Sequence, residues 1–271
     1  MGRHGARRVG WLILEGVLDG ERGGRFGNAG FRSACFRNAV RGTRETCGRC
    51  AIPAYRYEYC LACEKFAKRS DLADLVAMLT YAVAGEPSGE VLKGYKSDEP
   101  EHHAIVSELV RLALSLHARC PGALARAEVS HWAAVPSLPR KPGEHALHDI
   151  VRDVAPGREV RLLAAEKVRR PRAVSADHFA AESPVPAGAH VLLLDDTWTT
   201  GGHAQSAALA LKKAGAGRVS LLVAARWIKP DFGDNGWFLG RLRRQAYDPA
   251  ICPWTGGACP DGALAPEAQA G

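Results

Sequence analysis

Residues 191–202 read Val-Leu-Leu-Leu-Asp-Asp-Thr-Trp-Thr-Thr-Gly-Gly, and few folds accept that order. Four apolar residues make a buried strand. Two adjacent carboxylates, Asp195 and Asp196, sit at its carboxyl end. A hydroxyl- and glycine-rich turn follows, and 204–214 reads as a helix. In a parallel α/β sheet ligands bind at this point. The turn would expose backbone N–H groups at a helix N-terminus, which suits a phosphate, and Thr199 and Thr200 add hydroxyl donors. The two acids repel a phosphate. They suit ribose hydroxyls, or a Mg²⁺ shared with a pyrophosphate. The implied ligand has a phosphate at one end and a diol close by.

The rest of the chain agrees with a sheet wound on both sides. A helix is expected over 71–83, behind Ser70 as N-cap, and a second, amphipathic one over 101–119. A short strand over 129–135 ends at Pro136. A helix over 144–154 and a strand over 159–164 follow. Residues 167–186 carry many charges and three prolines and read as a long mobile loop or hairpin. Strand 191–194, helix 204–214 and strand 218–224 complete an α/β alternation that calls for a parallel sheet. No GxGxxG turn is present, which ranks a dinucleotide-binding domain well below a phosphate-and-diol site.

Length and charge narrow the field. A chain of 271 residues accommodates one α/β domain and a small appendage. The formal charge is +7, but residues 1–44 hold nine arginines and only three acids. The surplus therefore lies in an N-terminal extension, expected to be flexible, and not on a folded nucleic-acid-binding face. No apolar run reaches eighteen residues, so no membrane partner is expected. Glu15 interrupts the apolar run near the N-terminus too early for a signal-peptide core. A cytoplasmic setting is expected.

Eight cysteines are present. Cys47, Cys50, Cys60 and Cys63 form two CxxC pairs nine residues apart, the spacing of a four-thiolate zinc site. Few apolar residues surround them, so metal binding would supply the folding free energy, on the order of 10 kcal/mol or more. Four thiolates leave no open position, so the zinc would be structural. Cys252 and Cys259 read as half a metal site, a redox pair, or two unrelated thiols in an irregular tail. The expected organisation is an extension over 1–44, a zinc ribbon over 45–70, an α/β domain over 71–230 and an irregular C-terminal tail over 231–271.

The 191–202 segment resembles the phosphoribosyl-pyrophosphate (PRPP) motif of type I phosphoribosyltransferases. That motif runs four apolar residues, two acids, two variable positions, Thr-Thr-Gly, a small residue and a hydroxyl. The match holds up to His203, which stands where the last hydroxyl belongs. A zinc ribbon ahead of such a domain resembles the ComF family, named for competence for DNA uptake, over roughly residues 46–227. Val91-Leu92-Lys93-Gly94-Tyr95-Lys96 is similar to that family's Leu-Lys-Tyr segment. Val135-Pro136-Ser137-Leu138-Pro139 is similar to its Val-Pro-x-Pro turn. Residues 140–146 match its Arg-x-Arg-Gly-Phe-Asn-Gln-Ala loosely, with Glu144-His145 departing from it.

The resemblance implies a Rossmann-like doubly wound parallel sheet of the type I phosphoribosyltransferase kind, preceded by a small zinc ribbon. It implies that Asp195 and Asp196 hold the ribose and steady the transition state. Thr197, Thr199, Thr200, Gly201 and Gly202 would hold the 5′-phosphate. Pro136 and Ser137 would cradle pyrophosphate with Mg²⁺, and 167–172 would close as a lid. Lys93, Lys96, Arg140, Arg169, Arg170 and Arg172 are available cations. The implied activity is phosphoribosyl transfer from PRPP to an unidentified acceptor. The alternative is a non-catalytic PRPP sensor in DNA uptake or nucleotide-linked regulation, with protein or nucleic-acid contacts through the ribbon.

Overall fold

The computed structural model describes residues 35–41, 44–97, 99–243 and 245–262. The flexibility expected over 1–44 and the disorder expected over 261–271 lie outside the described residues at 1–34, 42–43 and 263–271. Five parallel strands form the central sheet in the order β1-β7-β6-β2-β3. They are β1 (Leu75–Val83), β2 (His131–Ala134), β3 (Arg158–Glu159), β6 (His190–Trp198) and β7 (Arg218–Ile228). β4 (Leu162–Ala164) and β5 (Phe179–Ala181) make a separate antiparallel pair. The helices are α1 (Leu61–Ala67), α2 (Pro87–Gly94), α3 (Pro100–His117), α4 (Cys120–Ala125), α5 (Ala146–Val151), α6 (Gly202–Lys213) and α7 (Asn235–Leu242).

Side-chain alternation divides the core into two layers. Val191 and Leu193 of β6 and Val219, Leu221 and Val223 of β7 pack with α6, α7, the β4–β5 pair and the Cys47–Cys63 region. Leu192, Leu194, Leu222 and Ala224 pack with α2, α3 and α5 on the other face. Strands buried on both faces read as unbroken apolar runs. That explains one correction: 71–83 is not a helix. Leu75–Val83 is strand β1, almost wholly buried. A short apolar run does not separate a buried strand from a buried helix.

Other boundaries also move. β6 and β7 run four residues further than expected, to Trp198 and Ile228. The strand expected over 159–164 breaks in two, because Val160 ends its pairing with β2 and 162–164 turns to meet β5. Residues 167–186 thus close a hairpin, one of the two expected forms. Residues 35–41, expected as part of a flexible extension, lie along the outer edge of β1: Asn38 bridges Thr80, and the Ala39 N–H donates to the Leu79 carbonyl at 3.1 Å. This covers an otherwise open sheet edge. The segment expected as an irregular C-terminal tail carries α7, and Cys252 and Trp254 within it are buried.

Candidate functional site

The crossovers set where a ligand can enter. From β6 the chain passes through α6 to β7 on one face. From β2 it passes through α5 to β3 on the other face and in the opposite direction. The carboxyl ends of β6 and β2 therefore flank a topological switch point, where open parallel sheets bind ligands. β2 pairs with β6 only as far as Leu194, and the Val135 N–H closes that pairing on the Leu194 carbonyl at 2.9 Å. β6 continues alone on that side through Asp195–Trp198, paired only with β7. A cavity of about 700 Å³ opens beside it, lined by Tyr95, Lys96, Pro136, Ser137, Arg140 and His145 among others.

The two acids point to opposite faces, as successive strand residues must. Both are buried. The Asp196 Oδ2 accepts a hydrogen bond from the Tyr95 hydroxyl at 2.5 Å and pairs with the Lys96 ammonium. His145 Nε2 stands 3.6 Å away. Burial works against its charge, but Lys96, His145 and the Tyr95 hydroxyl outweigh it and hold Asp196 below the usual carboxylate range. Asp195 lacks such partners; its Oδ1 accepts from the Asp196 N–H at 2.9 Å. Burial, and then the neighbouring Asp196 charge, push Asp195 up to about 8. The two acids are thus balanced separately, Asp196 by the Lys96 ammonium and Asp195 by its raised affinity for a proton.

The turn after β6 is tightly built. Thr197 is half-buried at the strand end; Thr199 and Thr200 are exposed. Gly201 has φ +83°, and a Cβ there would lie 2.2 Å from the Trp198 ring. A Cβ on Gly202 would lie 2.1 Å from the Arg172 carbonyl oxygen. Only glycine fits either place. Gly201 is the N-cap of α6 and has no side chain with which to cap it, so first-turn N–H groups face the turn as anion donors. Arg226 of β7 holds the turn from below: its guanidinium donates to the carbonyls of Trp198, Thr199 and Trp227 at 2.8, 2.8 and 2.7 Å. The structure thus brings the acids, the turn and the Pro136–Ser137 corner to one end of the sheet.

The loop before β5 is docked on α6. Ser206 Oγ donates to Gly202 O at 2.7 Å, accepts from the Ser175 N–H at 2.9 Å and meets His178 Nδ1 at 3.2 Å. His203 is half-buried at the start of α6, beside Pro171 of the same loop, and burial lowers its pKa. Arg169, Arg170 and Arg172 are exposed and do not line the cavity. Lys93 is also turned away, paired with Glu90 at 3.2 Å and stacked over Trp227.

Sequence reasoning missed Tyr95, His145 and Arg226 as parts of this site. The signals were present. His145 is a departure from the family pattern, and Arg226 is a lone charge inside an apolar strand.

Cys47, Cys50, Cys60 and Cys63 converge, with all four sulfurs within 4.8 Å of one another. Cys50 and Cys60 sulfurs are 3.7 Å apart. A tetrahedral Zn²⁺ with bonds of about 2.3 Å places its sulfurs about 3.8 Å apart, so the donor set fits that metal. The first knuckle turns through Ala51 at φ 56°. The second is the start of α1, where the Cys63 N–H donates to the Cys60 carbonyl at 2.9 Å. The ribbon is not free-standing: Tyr81 of β1 donates its hydroxyl to the Ala51 carbonyl at 2.8 Å.

No family model matches the chain, and no curated protein is similar to it in sequence. Among solved structures, a hypoxanthine phosphoribosyltransferase from Staphylococcus aureus is similar over 46% of this chain and 76% of that one. Its sequence identity is 10% and the TM-score 0.30. Among the described residues, no helix is long and apolar enough to cross a membrane.

Proposed function

We propose that this chain binds PRPP with Mg²⁺ and transfers its phosphoribosyl group to an unidentified acceptor, with release of pyrophosphate. The observation that carries this reading is the free end of β6. Asp195 and Asp196 extend past β2 at the switch point and run directly into the Gly201–Gly202 turn and the uncapped start of α6. On this reading Thr197, Thr199, Thr200 and the N–H groups of Gly201 and Gly202 bind the 5′-phosphate. The carboxylates bind the ribose hydroxyls and steady positive charge at the anomeric carbon as its bond to pyrophosphate breaks. Pro136 and Ser137, with Lys96 and Arg140 nearby, cradle the leaving pyrophosphate. Mg²⁺ would enter with the pyrophosphate and would neutralise the departing charge. The four-thiol cluster binds a structural Zn²⁺.

Calorimetry with PRPP and Mg²⁺ tests the site. Wild type should bind, and the Asp195→Asn/Asp196→Asn double variant should not. Unchanged affinity in the double variant would falsify the assignment. Pyrophosphate release is then screened against nitrogen bases and amines.

A second reading, a non-catalytic ComF-like PRPP sensor, is favoured by two observations. Lys96 already neutralises Asp196, as a built-in counter-ion to a site that binds without turnover. The ribbon exposes Tyr57 and Leu61, at 72% and 84%, apolar groups suited to a macromolecular contact. PRPP binding with no pyrophosphate release for any acceptor supports this reading over the first.

A further inference from the structure

Four metal-type ligands meet on the face of the sheet opposite the ribbon. His117 ends α3 and Cys120 opens α4, while Cys252 and Cys259 come from the C-terminal segment more than a hundred residues later. Their ligand atoms all lie within 4.8 Å of one another. His117 Nδ1 is 3.3 Å from Cys259 Sγ and 4.0 Å from Cys120 Sγ. His117, Cys120 and Cys252 are nearly inaccessible, at 3%, 1% and 0%. From these residues we infer a second tetrahedral metal site, with three thiolates and one imidazole as donors, that binds a zinc-like divalent ion.

The imidazole is oriented for it. His117 Nε2 lies 2.9 Å from the Pro249 carbonyl oxygen. A carbonyl only accepts, so Nε2 carries the proton, and the neutral ring turns its Nδ1 lone pair towards the sulfurs. A backbone carbonyl on the distal nitrogen is the usual support for a metal-bound histidine. The cysteine loop is also preformed. The Gly256 N–H donates to Cys252 O and the Cys252 N–H donates to Gly257 O, both at 2.8 Å. The Thr255 hydroxyl donates to Ala258 O at 2.7 Å. Gly256 takes φ +81°, and a Cβ there would lie 2.7 Å from the Arg41 carbonyl oxygen.

The chemistry selects the ion. Three soft thiols and one imidazole in tetrahedral array suit Zn²⁺ over the harder oxygen-seeking cations. Binding releases three thiol protons and leaves the site with one net negative charge. Four protein ligands fill the coordination shell, so the site is structural. It joins the C-terminal segment to the α3–α4 corner. That segment in turn holds the N-terminal edge, because Asn38 and Asp248 exchange two hydrogen bonds of 2.8 Å. One ion thus secures both ends of the described chain against the sheet.

Metal analysis of the intact purified chain tests this. Two zinc ions per chain are expected. Cys259→Ala should retain one, and Cys47→Ser should retain the other. If Cys259→Ala fails to fold, cobalt replacement in wild type decides. Two cobalt ions, with the absorption of a four-thiolate site and a three-thiolate, one-imidazole site superimposed, support the inference. One ion per chain in wild type that a folded Cys259→Ala variant retains overturns it. So does a second ion that persists in a folded Cys259→Ala variant, or a disulfide among Cys120, Cys252 and Cys259 found by non-reducing peptide mapping. None of these readouts depends on PRPP.

Discussion

Asp196 takes a hydrogen bond from Tyr95, an ion pair from Lys96 and the approach of His145, all on one oxygen or its surroundings. Tyr95→Phe removes the hydrogen bond and leaves the packing. It should cost about 1–3 kcal/mol, measured by denaturant unfolding, and weaken PRPP binding with it. Asp195 behaves differently because its pKa is raised to about 8 by burial and then by Asp196. The folded chain keeps a proton there that the unfolded chain surrenders near pH 4. Stability from this group is therefore complete below about pH 4 and is lost as pH rises through about 8. Ligand binding that needs ionised Asp195 has the opposite slope and should tighten over that range. Calorimetry at about pH 7 in buffers of different ionisation heat should register proton release on PRPP–Mg²⁺ binding; none released would remove Asp195 from the ligand site. Arg226 acts one step away, as a positioning residue for the turn through three carbonyls. Arg226→Met keeps the length and loses the donors. It should raise the PRPP dissociation constant at least about tenfold, which is about 1.4 kcal/mol, while pyrophosphate chemistry at saturating ligand falls less.

At the scale of elements, the turn between β6 and α6 is the least tolerant of change. Gly201→Ala adds a methyl against the Trp198 ring in a left-handed conformation. It should destabilise the chain by about 1–3 kcal/mol, read as a lower Tm, and reduce PRPP affinity together with it. The strand end, the turn and the helix start were legible here because their residues are consecutive in the chain. The helix over 101–119 was legible from periodicity, and that over 204–214 from its place after the glycine turn. β1 was not, since a nine-residue, largely apolar run looks alike on a strand and on a helix, and only pairing with β7 distinguishes them. The far end of β7 was also missed. The expected strand stopped at 224, short of Arg226, which is buried within it and donates to the turn.

At the scale of the whole molecule, the two cysteine clusters lie on opposite faces of one sheet, the ribbon with the α6 layer and the C-terminal pair with the α3 layer. Cys47→Ser should lose the ribbon metal. Because the ribbon shares its core with α6 and β1, it should also destabilise the whole chain, by about 4 kcal/mol, seen as a Tm lower by roughly 8–16 °C. A Tm unmoved by that change would mean the ribbon folds apart from the sheet. The α/β alternation, the acid-and-glycine turn and the four-thiol knuckles could be read from the chain alone, because each is written in residues close together. Folding alone set which acid is buried without a counter-charge, which arginine braces the turn, and that His117 and Cys120 meet Cys252 and Cys259. Those outcomes depend on contacts between distant segments and on the burial that the closed core creates, and local spacing carries no record of either.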